Sequence, residues 1–78
     1  LDSNLPWFKD LDDVRQDVLS DMCFNMGISR LLNFRKMLAA VELGLYDRAS
    51  DELLNSKYAE QAKDRALKLA RMMKEGKY

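Results

Sequence analysis

The sequence predicts an all-α fold, a compact helical lobe of four to five short helices. Three observations carry that expectation. β-branched residues number only four, Val14, Val18, Ile28 and Val41, so strand-forming chemistry is scarce. No stretch alternates apolar and polar residues for long, as a half-buried strand would. Apolar residues instead recur at the period of a helix that buries one face, from Val14 to Met73.

Each element follows from local signals. Leu5, Pro6, Trp7 and Phe8 make residues 1–10 an extended, aromatic-rich linker, and residues 11–78 form the helical lobe. Asp10 and Asp12 each offer a side-chain oxygen to the free N–H groups of a helix start, and Asp13 adds negative charge near its positive end. The first helix runs to about Met26, with Val14, Val18, Met22 and Met26 stepping by four and Leu19 and Cys23 in a neighbouring row. Gly27 ends it, because glycine reaches the left-handed conformation after a helix at little cost. Ser29 caps a short turn carrying Leu31 and Leu32. Asn33 caps the next helix, in which Phe34, Met37, Leu38 and Val41 follow the i, i+3, i+4, i+7 pattern until Gly44. Asp47 opens a third segment that ends near Asn55. Ser56 caps the last stretch, where Tyr58, Ala59, Ala62, Ala66, Leu69, Ala70 and Met73 share one side until Gly76. Periodicity leaves open whether a break falls near Gln61. Short connections make sequence neighbours spatial neighbours.

Composition then narrows the chemistry. A chain of 78 residues makes at most one domain, and one this short buries only about 60% of its unfolded surface. No apolar run approaches the roughly 18 to 20 residues that span a bilayer, so no membrane span is expected. With one cysteine, Cys23, and no histidine, there is no disulfide framework, no zinc site and no histidine-based triad. Cys23 reads as a small buried hydrophobe, and no metal or cofactor is expected. Thirteen basic and thirteen acidic side chains cancel, which argues against nucleic acid as a partner. The cancellation hides a gradient. Residues 1–21 carry six Asp against Lys9 and Arg15, whereas residues 57–78 carry seven basic against three acidic side chains. The two ends attract each other in a compact fold. The first residue is Leu1, with no signal-peptide pattern, and the chain is expected to be a fragment of a longer protein.

One ordered set of motifs is more specific. It comprises Leu11-Asp12-Asp13-Val14-Arg15, Met22-Cys23-Phe24-Asn25-Met26-Gly27, Asn33-Phe34 with Met37-Leu38, Tyr46-Asp47-Arg48-Ala49, Ser56-Lys57-Tyr58, Arg65-Ala66 and Gly76. In this order and spacing, residues 5–78 resemble without a gap the C-terminal lobe of phage-type lysozymes, the T-even phage endolysin family. The resemblance implies a peptidoglycan hydrolase (endolysin or muramidase) that cleaves the β-1,4 bond between N-acetylmuramic acid and N-acetylglucosamine in a cleft between two lobes. Its implied partners are bacterial peptidoglycan and a missing N-terminal lysozyme lobe. Its implied setting is a phage or prophage protein, made in the bacterial host cytoplasm and acting on the cell wall. The catalytic glutamate, and the aspartate and threonine that position water, belong to the N-terminal lobe. Glycoside hydrolysis usually needs a carboxylic acid facing a second group across the sugar, and no glutamate precedes Glu42 here. No catalytic residue is therefore assigned, and the chain alone is expected to be inactive.

By the same resemblance, this lobe forms one wall of the cleft. Phe24 matches a phenylalanine whose main chain meets a sugar, with a plain core aromatic as the competing role. Asn25 matches a cleft glutamine one methylene longer. Lys57 and Tyr58 match an arginine and a tryptophan; the Tyr58 ring suits either a sugar face or the core. Glu52 stands where the family has a substrate-contacting asparagine, so it either reads the amine of a peptide cross-link or is a solvated helix residue. Met37 replaces a contacting serine and fits the apolar register of its helix. Arg65 matches an arginine that reaches the catalytic glutamate, since a guanidinium holds a carboxylate in a fixed orientation; its competing role is an exposed member of a basic helix. Lys63, Lys68, Arg71, Lys74 and Lys77 read as a solvated face. Two further functions compete with the hydrolase lobe: a non-enzymatic helical binding module derived from a lysozyme, and a DNA-binding helical domain, which the level charge disfavours.

Overall fold

The computed structural model describes residues 4–78, so the first three residues of the linker lie outside the described ones. A 3-10 turn at Phe8–Asp10 leads into α1 (Asp13–Met26), α2 (Ile28–Leu32), α3 (Arg35–Glu42), α4 (Tyr46–Leu54), α5 (Lys57–Ala62) and α6 (Asp64–Glu75). No strand occurs among the described residues, and no helix there is long and apolar enough to cross a membrane. The class is all-α as predicted, with six helices among the described residues where four to five were expected. The short turn around Leu31 is a helix of its own, set off by Gly27 at φ 87. The final stretch breaks at Lys63, whose φ of 46 is a conformation that L-residues avoid.

Two of the expected caps form. Asp12 accepts from the Arg15 N–H at 3.1 Å, and the Ser56 hydroxyl accepts from the Ala59 N–H at 3.2 Å. Four expected caps shift. Ser29 lies inside α2, whose N-cap is Gly27 and which no side chain caps. Asp10 sits inside the 3-10 turn, and Asn33 closes α2 instead of opening α3, its N–H donating to the Arg30 carbonyl at 3.1 Å. Asp47 lies in the first turn of α4, where its charge favours the positive helix end without a capping bond. The lead-in is not extended throughout. Leu5 is buried, and Gln16 ties the 3-10 turn down by donating from Nε2 to the carbonyls of Leu11 at 2.9 Å and Phe8 at 3.2 Å.

The core takes Val18, Leu19 and Met22 from α1, Leu31 from α2, Met37 and Val41 from α3, and Leu53 from α4. From α6 come Leu69, Ala70 and Met73. α4 packs most extensively on α6 and next on α3, while α1 lies against α2 and α6. Met37 is 1% exposed, as its register predicted, whereas Cys23 is only half-buried at the edge of the cluster.

Arg15 joins the first helix to the last. Its Nε donates to the Met73 carbonyl at 2.7 Å and its Nη2 to the Lys74 carbonyl at 3.0 Å, filling acceptors that the end of α6 leaves open. Nη1 meets Asp12 at 3.0 Å, and the guanidinium stacks 3.5 Å over the Tyr46 ring. Gly76, at φ 69, lets the chain turn away beside it. A Cβ there would stand 2.8 Å from Arg15 Nη1, so a side chain would strain the backbone and push the guanidinium aside. Arg15→Ala is expected to destabilise the protein by about 2–4 kcal/mol, the loss of charged hydrogen bonds and a cation–π contact. Arg15→Lys should restore less than half, since lysine lacks the fork; urea denaturation of the three proteins measures this.

The same contact sets an acid limit. Burial pushes the Asp12 carboxyl up, but hydrogen bonds from the Arg15 side chain and N–H, with the Arg15 charge, outweigh it and leave the pKa below its ordinary value. A carboxyl lowered in the folded state contributes stability that is present above its unfolded pKa and lost as pH falls through the folded one. Thermal melts should therefore drop as pH falls below about 4, and Asp12→Asn should remove part of that slope. Elsewhere, the acidic start and basic finish meet where Arg65 lies 3.3 Å from Asp21, and the neutral Tyr78 hydroxyl donates to Asp17.

Candidate functional site

Where α2 turns into α3 and α4 into α5, the helices leave an open groove of about 660 Å3. Its apolar floor consists of buried Met37 and half-buried Met26, Phe34 and Tyr58. Exposed Arg30, Arg35, Lys36 and Lys57 border it, with half-buried Glu52 between. Asn33, Asn55 and Gln61 add amide groups. The local sequence places these residues. Arg35, Lys36 and Met37 occupy the first turn of α3, which no side chain caps. The Ser56 cap starts α5 so that Lys57 and Tyr58 stand at the groove, and Ser56 Oγ also donates to the Leu53 carbonyl at 2.6 Å, closing α4.

The residues singled out from the sequence divide between two places. Glu52, Lys57 and Tyr58 line the groove together. Phe24, Asn25 and Arg65 do not line it. Phe24 is 89% exposed, so the core role considered for it is excluded. Asn25 is engaged locally, donating from Nδ2 to the Asp21 carbonyl one turn back at 2.8 Å. The Arg65 Nη1 donates to both Asp21 carboxylate oxygens at 3.3 and 3.4 Å, an ion pair at the protein surface.

Tyr58 connects the two places. Its ring lines the groove, while its buried hydroxyl has no hydrogen-bond partner among the described residues. Burial raises the phenol pKa, the Asp21 carboxylate raises it further, and Arg65 and Asn25 offset part of the rise. The hydroxyl is thus held in its protonated form, buried near Asp21, Asn25 and Arg65.

Arg30, Arg35 and Lys36 were missed as site residues. Their signal was present: residues 22–41 hold these three cations and no acidic side chain. The groove has one carboxylate and no histidine, so by itself it offers binding groups without an opposed acid and base. Among the described residues no group of three or more His, Cys, Asp or Glu side chains comes together as a metal site would require.

Fold and groove together define a small all-helical lobe with an open, basic-rimmed groove. The chain is similar to a protein named probable T4-type lysozyme 1 from Dictyostelium discoideum, at 28% identity over 69 residues. The match covers 88% of this chain and 41% of that relative, so the chain spans well under half of the relative's length. No family model matches the chain, and no solved structure does.

Proposed function

We propose that this chain is the C-terminal lobe of a peptidoglycan-hydrolysing lysozyme and forms one wall of its glycan-binding cleft, inactive without a second lobe. The similarity to a T4-type lysozyme along 88% of the chain carries the reading. The all-helical fold and the shared placement of Glu52, Lys57 and Tyr58 on one groove support it. In this reading the Tyr58 ring and the Lys57 ammonium hold the glycan. Exposed Phe24 and Asn25 extend the wall, and Arg65 orients the catalytic glutamate of the other lobe. The substrate is bacterial peptidoglycan, and the β-1,4 bond between N-acetylmuramic acid and N-acetylglucosamine is the one cleaved.

Amide-resolved NMR titration of the chain with soluble peptidoglycan fragments tests the wall. Shifts should concentrate at Glu52, Lys57, Tyr58 and their neighbours in α5, and Tyr58→Ala should weaken binding by about 1 kcal/mol or more. An unperturbed groove at millimolar fragment would overturn the reading. Cell-wall clearing separates hydrolase from adaptor: a longer protein carrying this lobe that binds walls yet never clears them is the non-enzymatic module.

A further inference from the structure

The core does not hold residues 54–65. Leu53 before them and Ala66 after them are 0% and 1% exposed, yet none of the side chains between the two is buried. In the middle of this stretch α5 offers the core only half-buried Tyr58, Ala59 and Ala62, and it packs chiefly on its sequence neighbours, α4 and α6. Among the described residues no ion pair ties residues 57–64 to another helix.

The two ends of α5 differ. Ser56 caps the start, accepting from the Ala59 N–H at 3.2 Å and donating to the Leu53 carbonyl at 2.6 Å. Lys63 closes the other end at φ 46 and ψ -106, near the first central position of a type II′ turn, which glycine fills because a Cβ is crowded there. A lysine in that conformation is strained. The closed form carries a second local cost, since the buried Tyr58 hydroxyl has no hydrogen-bond partner and has lost the water that would serve it.

We infer that α5 is a hinged flap, opening as a unit about Ser56 and Lys63 while α4 and α6 stay folded. Opening relaxes the Lys63 backbone and returns the Tyr58 hydroxyl to water, and with no fully buried side chain on α5 it exposes little apolar surface. The side of the groove that bears Lys57, Tyr58 and Gln61 then moves as one piece, while the α3 side with Arg35 and Met37 stays on the core. The flap sets the width of the groove. It does not depend on what the groove binds, so it stands apart from the lysozyme reading.

Amide hydrogen exchange of the chain, followed by NMR over a series of low urea concentrations, tests the inference. The amides that donate within α5, up to the Lys63 N–H bonded to the Ala59 carbonyl at 3.0 Å, should share one level of protection. That level should lie at least about 30-fold below the level of Leu69, Ala70 and Met73 in α6, and it should fall less steeply with urea because less surface is exposed. Lys63→Gly should slow exchange in α5 at least about threefold by removing the strain from the closed form. Tyr58→Phe, which deletes the unpartnered hydroxyl, should act in the same direction. Equal protection of α5 and α6 overturns the inference, as does protection that grades away towards one end of α5, the mark of fraying. So does α5 exchange that neither variant slows.

Discussion

Leu19→Ala is expected to cost roughly 2.7 to 5.0 kcal/mol, a range carried over from leucine truncations in a T-even phage lysozyme. Leu19 is 0% exposed and lies in α1 beside buried Val18 and Met22, against the core that α4 and α6 complete. Removing its branched end strands those neighbours without contacts, because a packed interior relaxes only in part. A domain of this length holds on the order of 4–12 kcal/mol in total, so the substitution should shift the urea midpoint strongly or leave a chain without a cooperative transition. Leu67→Ala is the matched control. Leu67 is 59% exposed on α6, and its loss should stay within about 0.5 kcal/mol. A loss below about 1 kcal/mol at Leu19 would show that the core closes over the gap.

Arg65→Ala should act on activity and not on stability, and its measurement belongs to the two-lobe enzyme proposed above. The visible partner of Arg65 is Asp21, at 3.3 Å on an exposed surface, and such a pair contributes about 0–1 kcal/mol. Melting temperature should barely move. If the guanidinium orients the catalytic carboxylate of the other lobe, turnover should fall about 10- to 100-fold, and Arg65→Lys should recover only part because the planar fork is gone. Removing a nearby positive charge also raises that carboxylate's pKa, so the corresponding limb of the pH–rate profile should move upward. Asp21→Asn provides the complement: it releases Arg65 from its present partner and should leave clearing at or above the starting rate. Equal clearing by wild type, Arg65→Ala and Arg65→Lys at matched stability would confine Arg65 to its bond with Asp21.

The fold was legible wherever one residue's chemistry decides a local outcome. Gly27, Gly44 and Gly76 each follow a helix end with positive φ, and Asp12 and Ser56 cap as their hydroxyl or carboxylate chemistry requires. The rows through Val18, Met22, Leu38 and Val41 are buried because a period near 3.6 allows one face inward. Illegible features depend on distant partners. Lys63 adopts a positive φ without any glycine or asparagine to announce it, and Arg15 reads locally as one surface cation although its acceptors lie 58 and 59 positions away. Half the site residues named from the sequence share the groove; its remaining cations, Arg30, Arg35 and Lys36, stand in one stretch free of acidic residues, but that this stretch packs beside α5 no local pattern encodes.

The Arg15 clasp also has a consequence for how such a chain is made. During vectorial synthesis α1 emerges first, with Val18, Leu19 and Met22 in search of cover, yet the helix that Arg15 clasps ends only at Glu75. The carbonyls of Met73 and Lys74 leave the ribosome 58 and 59 residues after Arg15. A nascent chain lacking them has local helices and no closed interior, so folding of this lobe waits for its end and then proceeds as one event. Loss of the last turn of α6 would thus act on the first helix as severely as a substitution within it.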